Sequence, residues 1–227
     1  MIESKEDYCY YLEADRIAKA IPKKLCLRQR LINLFFPNYV WKFQKSLRKV
    51  EYFKNRKKNI LTKLEYFLVY KRYKKLSYKL GFSIPPNVFG PGLSIAHHGT
   101  IIVNSAARIG ANCRLHACVN IGTKAGYGGK APVIGDNCYI GPGAKIFGDI
   151  KIGNNIAIGA NAVVNKSFEG ENMIIAGVPA KVISGVDVFK ILIPATIIID
   201  KGLGEEAENL IQENRGTLSQ AIRGLID

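Results

Sequence analysis

An aliphatic residue returns at every sixth position from Ile134 through Ile140, Ile146, Ile152, Ile158 and Val164, and the same spacing runs earlier through Val103, Ile109, Leu115 and Ile121. Four positions after most anchors stands a second small or apolar residue: Ala107, Cys113, Val119, Cys138, Ala144, Ile150, Ile156 and Ala162. Glycine often follows the anchor directly, as at Gly110, Gly122, Gly135, Gly141, Gly153 and Gly159. A helix of 3.6 residues per turn cannot keep such positions on one face. Two inward positions and one tight corner per six residues describe a short strand and a turn, and three such hexads close one triangular coil of a parallel β-helix. The pattern extends upstream through Phe89, Ile95 and Ile101, slips by two residues to Val103, and is interrupted by a glycine-rich insert at 123–132. The repeat therefore covers residues 84–183, and stacked coils bury its core.

Outside the repeat the periodicity changes. Residues 7–21 and 61–80 show the apolar spacing and good helix formers of helices, with shorter helical pieces between 27 and 52. Residues 82–92, rich in Pro and Gly, form the junction. After the repeat, 186–199 is apolar and of undecided type, while 205–214 and 218–226 read as short helices. The expected organisation is a helical N-terminal region (1–82), a β-helical domain (83–184) and a C-terminal tail with short helices (185–227). The fold class is mainly β, a left-handed parallel β-helix behind an α-helical region.

With 227 residues, 48% of them hydrophobic, the chain can bury a substantial core. Its longest apolar run, 191–199, contains Pro194 and falls far short of the ~20 residues that a membrane-spanning helix needs. The first 20 residues mix acids and bases without the apolar stretch of a secretory signal, so a cytoplasmic address is expected. The five cysteines (Cys9, Cys26, Cys113, Cys118, Cys138) form an odd set without CxxC spacing, and most are expected to be buried and inert.

The formal net charge of +15 is not spread evenly. Residues 21–80 hold 18 Lys and Arg against two acids, Glu51 and Glu65, together with 12 of the 22 aromatic residues; the remainder is close to neutral. Three partners suit a basic aromatic segment: water alone, a nucleic acid, or an anionic membrane surface. Nucleic acid is disfavoured because no known nucleic-acid motif accompanies the charge. A solvated face and peripheral contact at the inner face of a membrane both remain open.

All three histidines, His97, His98 and His116, fall within 20 residues. If Ile95 and Leu115 are one anchor a coil apart, His97 and His116 lie near one edge on adjacent coils, about 5 Å apart along the stack. A three-histidine metal site fits poorly, because His97 and His98 are neighbours on extended chain and point to opposite sides, and no further ligand has suitable spacing. No metal is expected.

The segments GLSIAHHGTIIV, AARIGANCRLHACVNIG, VIGDNCYIGPGAKIFGDIKIGNNIAIGANAVV and AGVPAKVI resemble the catalytic domain of serine acetyltransferases and the related O-acetyltransferases of bacterial surface polysaccharides. The resemblance implies a left-handed β-helix, a homotrimer with active sites between subunits, and acetyl-CoA as donor. By the same match His97 stands where the family has its catalytic base, and His116 is the next candidate for acceptor contact. Gly122, Thr123, Gly143, Ala144 and Lys181 match positions that bind the donor. Two departures are visible. The serine enzymes have a second histidine before a proline in the insert, where this chain has Ala131-Pro132, and acids flanking the base, where this chain has Ala96 and Ser83. No acid occurs between Glu65 and Asp136. Since a buried ammonium needs a counter-charge, these departures point to a sugar hydroxyl of a surface glycan as acceptor, with L-serine as the alternative. A non-catalytic β-helical scaffold with a basic docking face is the reading from another class.

Overall fold

The computed structural model describes residues 1–56, 60–212, 221, 224 and 226. The sequence expectation for 218–226 lies largely outside them. Four helices come first: α1 (Lys5–Ala18), α2 (Leu27–Phe35), α3 (Tyr39–Asn55) and α4 (Ile60–Leu80). Ser4 starts α1 with a capping box shared with Asp7, and Asn38 caps α3 by accepting from the Trp41 backbone N–H. The expected short helical pieces between 27 and 52 are in fact one short helix and the 17-residue α3.

The repeat then folds into three parallel sheets. The strands are β1 (Phe82–Ser83), β2 (Ser94–Ile95), β3 (Ile101–Val103), β4 (Arg108–Ile109), β5 (Arg114–Leu115), β6 (Asn120–Gly122) and β7 (Val133–Ile134). They continue as β8 (Tyr139–Ile140), β9 (Lys145–Phe147), β10 (Lys151–Ile152), β11 (Ile156–Ile158), β12 (Val163–Val164), β13 (Met173–Gly177) and β14 (Ala180–Gly185). The sheet orders are β1-β3-β6-β9-β12, β10-β7-β4 and β14-β13-β11-β8-β5-β2. Consecutive coils stack in the register that the hexads predict: Ile95 on Leu115, Leu115 on Ile140, Ile140 on Ile158, Ile158 on Ile175. Only β13 and β14 pair antiparallel, which closes the stack. Every hexad anchor from Phe89 to Val164 is buried, and so is each secondary position from Ala107 to Ala162. Because a hexad leaves only two or three residues in strand, helices still hold more of the described residues than strands do. Asparagines at three corners adopt positive φ, at Asn112, Asn137 and Asn155, and their side chains form a ladder at 2.8 and 2.9 Å.

A first coil leaves unpaired strand edges, and here the helices close them with polar side chains. Gln44 donates to the Leu93 carbonyl and accepts from the Ile95 N–H. Arg48, fully buried, is held bidentately by Asp15 and bonded to Glu51, and it donates to the carbonyls of Phe89 and Gly90. Asp15 in turn accepts from the Leu93 N–H. Apolar packing follows the same route: Phe43, Leu47 and Val50 of α3 with Tyr73, Leu76 and Leu80 of α4 share one core with the coils.

The chain returns after β14 through a 3-10 turn (Val188–Lys190), α5 (Ala195–Asp200) and α6 (Gly204–Gln212), packing on α1. The undecided stretch 186–199 thus divides into that turn and α5. The expectation for the cysteines is corrected. Cys113 and Cys138 are buried at inward hexad positions, but Cys9, Cys26 and Cys118 are exposed, two on the helical region and one at a coil corner. No helix among the described residues is long and apolar enough to cross a membrane.

Candidate active site

β2 and β5 are paired neighbours, so the corners that follow them lie one above the other. His97 stands exposed on the upper corner, and His116 is half-buried directly after β5. Their ring centroids are 6.1 Å apart, and the His116 ring packs 4.9 Å from that of Tyr139 on the next coil. Arg114 Nε donates to His116 Nε2 at 3.4 Å. Burial first, then the Arg114 guanidinium and the neighbouring His97 ring, lower the His116 pKa to about 4. His116 is therefore neutral at physiological pH, a hydrogen-bonding partner rather than a charge. His98 is also exposed and takes no part in this contact.

A second cation lies near Arg114. Lys19, at the end of α1, donates to the backbone carbonyl of Ile95, two residues before His97. Burial and the nearby Arg114 lower its pKa to about 8. A cavity of about 450 Å³ runs from Arg114 and His116 past Tyr139 and Gly159 to Ile174 and Ile191. Arg114, Tyr139 and Lys19 were not among the site residues expected from sequence. A signal for the first two existed: Arg114 lies two residues before His116 on the same strand face, and the hexad register sets Tyr139 beside it. Lys19 lies 76 residues from its partner, and no local pattern announces it.

The positions expected to bind the donor divide into two groups. Gly143 and Ala144 lie on the histidine edge, on the coil below His116, and the Gly143 N–H donates to the Ala117 carbonyl at 2.9 Å. Gly143 has φ +76°, and a Cβ there would stand 2.0 Å from Asn161 Oδ1, so the position requires glycine. The Ala144 methyl faces the core, and both of its backbone groups are already bonded, so it holds the corner together. Gly122 and Thr123 lie at the other end of β6, where the insert begins, about 10 Å from the histidine corner by the rise of a strand. Lys181 is exposed on β14. Within one chain, then, His97, His116 and Gly143 share an edge that Gly122 and Thr123 do not. Among the described residues no group of three or more His, Cys, Asp or Glu is arranged to hold a metal ion.

Residues 131–166 match the model of the bacterial transferase hexapeptide family (six repeats). Over 100 residues, 44% of this chain and 43% of the relative, the sequence is 38% identical to a serine acetyltransferase of Mycobacterium tuberculosis. It is 32% identical to that of Staphylococcus xylosus over 132 residues, 52% of this chain and 61% of the relative. The chain spans about half the length of the curated relatives it matches. Among solved structures, serine acetyltransferase from Neisseria gonorrhoeae superposes with a TM-score of 0.62 at 26% identity, covering 81% of this chain and 69% of that one. The Brucella abortus enzyme gives 0.61 at 23% identity, covering 81% and 72%. The hexapeptide match and these structures carry the left-handed sense of the β-helix. They also correct the expectation of a surface-polysaccharide acceptor, because the relatives and structures named here are all serine acetyltransferases. The missing carboxylates misled for a physical reason: an ammonium can also donate to backbone carbonyls, which coil corners supply, and the count of acids covered only one chain. The chain thus resembles the serine acetyltransferases across its β-helical part.

Proposed function

We propose that this protein is an acetyl-CoA-dependent O-acetyltransferase whose acceptor is the hydroxyl of L-serine. The observation that carries the reading is the His97–His116 pair, set on adjacent corners of a hexapeptide β-helix with His116 held neutral. His97 is the general base. It takes the proton of the serine hydroxyl as the oxygen attacks the thioester carbonyl; the C–S bond then breaks, and the departing CoA sulfur takes that proton back from the imidazolium. His116, neutral and buttressed by Tyr139, orients the acceptor. Arg114 beside it is placed to receive the serine carboxylate, with the guanidinium fork suited to that group. Glycine-rich corner backbone supplies N–H groups for the oxyanion.

The pantetheine arm of the donor lies along the coil edge at Gly143 and Ala144, with Lys181 toward the phosphates. Gly122 and Thr123 enter from the adjoining copy of a homotrimer, because one chain sets them on a different edge from the histidines. The division into residues 1–82, 83–184 and 185–227 gives transfer to the middle region. Peripheral attachment to a membrane through the basic helices of the first belongs to the same proposal.

The test follows release of the CoA thiol from acetyl-CoA with and without L-serine. Turnover that depends on serine, saturates with it and yields O-acetylserine supports the proposal. Absence of serine-dependent thiol release at millimolar serine overturns it.

A further inference from the structure

α2 has no buried residue, yet Leu27, Leu31, Leu34 and Phe35 form a single apolar stripe at helical spacing, each more than half exposed. α4 repeats the spacing at Ile60, Leu64, Phe67 and Leu68, again all exposed. Between the two runs the outer side of α3, where Lys42 and Lys45 line both the groove under α2 and the groove against α4. The groove under α2 is a cavity of about 670 Å³, lined by Lys19, Lys23, Lys42 and Lys45 with Ile32 and Trp41. Arg16, also on its wall, is already paired with Glu13 and Glu208. None of the four lysine side chains forms an ion pair with a carboxylate among the described residues.

We propose that this cavity and the α2 stripe together form a docking site for an anionic phospholipid surface, lipid phosphates entering among Lys23, Lys42 and Lys45 while Leu27, Leu31, Leu34 and Phe35 enter the acyl boundary. It deepens the membrane-attachment part of the proposed function and is independent of the acceptor. The charge selects the occupant. A second copy would set one strongly basic helical region against another, since residues 21–80 carry 18 Lys and Arg and two acids. A nucleic acid would use the lysines but leave four large apolar side chains in water. An anionic bilayer satisfies both, because its headgroups meet the cations at the depth where an amphipathic helix buries its apolar face. The lysine cluster is electrostatically unfinished as it stands: burial and the neighbouring charges of Arg72 and Lys42 lower the pKa of Lys45.

The experiment is co-sedimentation of the full chain with vesicles of phosphatidylcholine alone or mixed with about one third phosphatidylglycerol, a composition chosen to give a negative surface. Binding to the mixed vesicles and not to the neutral ones, weakening as salt rises, is expected. Leu31→Asp with Phe35→Asp should weaken it at least about tenfold, and so should Lys42→Glu with Lys45→Glu. The first pair lies outside the core, so an unchanged unfolding midpoint certifies the fold. Equal binding to both vesicles, or binding unaffected by either double variant, would overturn the proposal. Concentration-dependent assembly through α2, or binding of a short DNA duplex that ignores the α2 variant, would overturn it in favour of a protein or nucleic-acid surface. Because vesicle binding needs neither acetyl-CoA nor serine, a protein that acetylates serine but ignores vesicles loses this inference and the membrane attachment it deepens, and keeps the acetyltransferase reading.

Discussion

Replacing His97 by Asn separates chemistry from folding more cleanly than any other substitution at the site. The ring is exposed, so removing it leaves no cavity and orphans no buried group, and the stability change should stay within about 0.5 kcal/mol. What it removes is the proposed proton acceptor for the attacking hydroxyl. General-base catalysis is commonly worth 10²–10⁴ in rate, so kcat with L-serine should fall by about that factor, equivalent to ~3–5 kcal/mol of transition-state stabilisation. Affinity for CoA, measured by calorimetry, should hardly move. His116→Asn makes the complementary case. That ring is half-buried between His97 and Tyr139, so its loss should cost about 1–2 kcal/mol of stability but reduce kcat less, with the larger change in KM for serine. The assay is steady-state thiol release alongside urea unfolding of both variants. If His97→Asn kept more than a tenth of kcat while His116→Asn abolished turnover, the two roles would be reversed.

Arg48→Met should destabilise the protein by about 3–5 kcal/mol in urea unfolding, because it leaves the buried carboxylates of Asp15 and Glu51 and the carbonyls of Phe89 and Gly90 without their donor. Gly143→Ala should cost about 1–2 kcal/mol and lower the thermal midpoint, since alanine resists φ +76° and its methyl would collide with Asn161. Acidification should remove about 1 kcal/mol through His116, after allowance for solvent at its half-exposed ring. The unfolded chain takes up that proton near pH 6.5 but the folded one only near 4, so stability is lost between those values as pH falls. His116→Asn should flatten that part of the stability profile measured by unfolding at stepped pH.

The hexad spacing made the β-helix legible because each anchor is buried for a single reason, the closure of a triangular coil; Ile134 through Val164 all proved to be core. Helix α4, expected over 61–80, occupies Ile60–Leu80. The helical region was harder to read where polar residues face inward. Gln44 and Arg48 break the apolar stripe of α3, so the periodicity suggested fragments, whereas both are buried because the first coil offers them unpaired backbone groups. Such pairings join residues far apart in sequence, Gln44 to Leu93 and Lys19 to Ile95, and leave no local pattern. The same limit applies to the site. The histidine pair could be inferred because both residues sit inside the repeat, where register converts sequence distance into position, but the cationic neighbour from α1 could not.

What marks the functional edge is the failure of the repeat rather than the repeat itself. Anchors six residues apart at Leu115–Ile121, Ile140–Ile146 and Ile158–Val164 fix a corner of constant size. From Ile95 to Val103 the same turn takes two residues more, although its strands pair in register with those of the coil below. The surplus falls in the segment Ala96-His97-His98-Gly99-Thr100, where Gly99 takes φ +131° and donates its N–H to the Leu80 carbonyl. Extra corner residues add nothing to the core. They lift a side chain off the coil surface, which is where an exposed imidazole can meet a substrate while the ring beneath it stays packed. The insert at 123–132 is the other interruption, and it opens at the far end of the same sheet from His97. Both departures therefore flank one face, and a neighbouring copy that brings its insert to the histidine corner would join them in a single cleft.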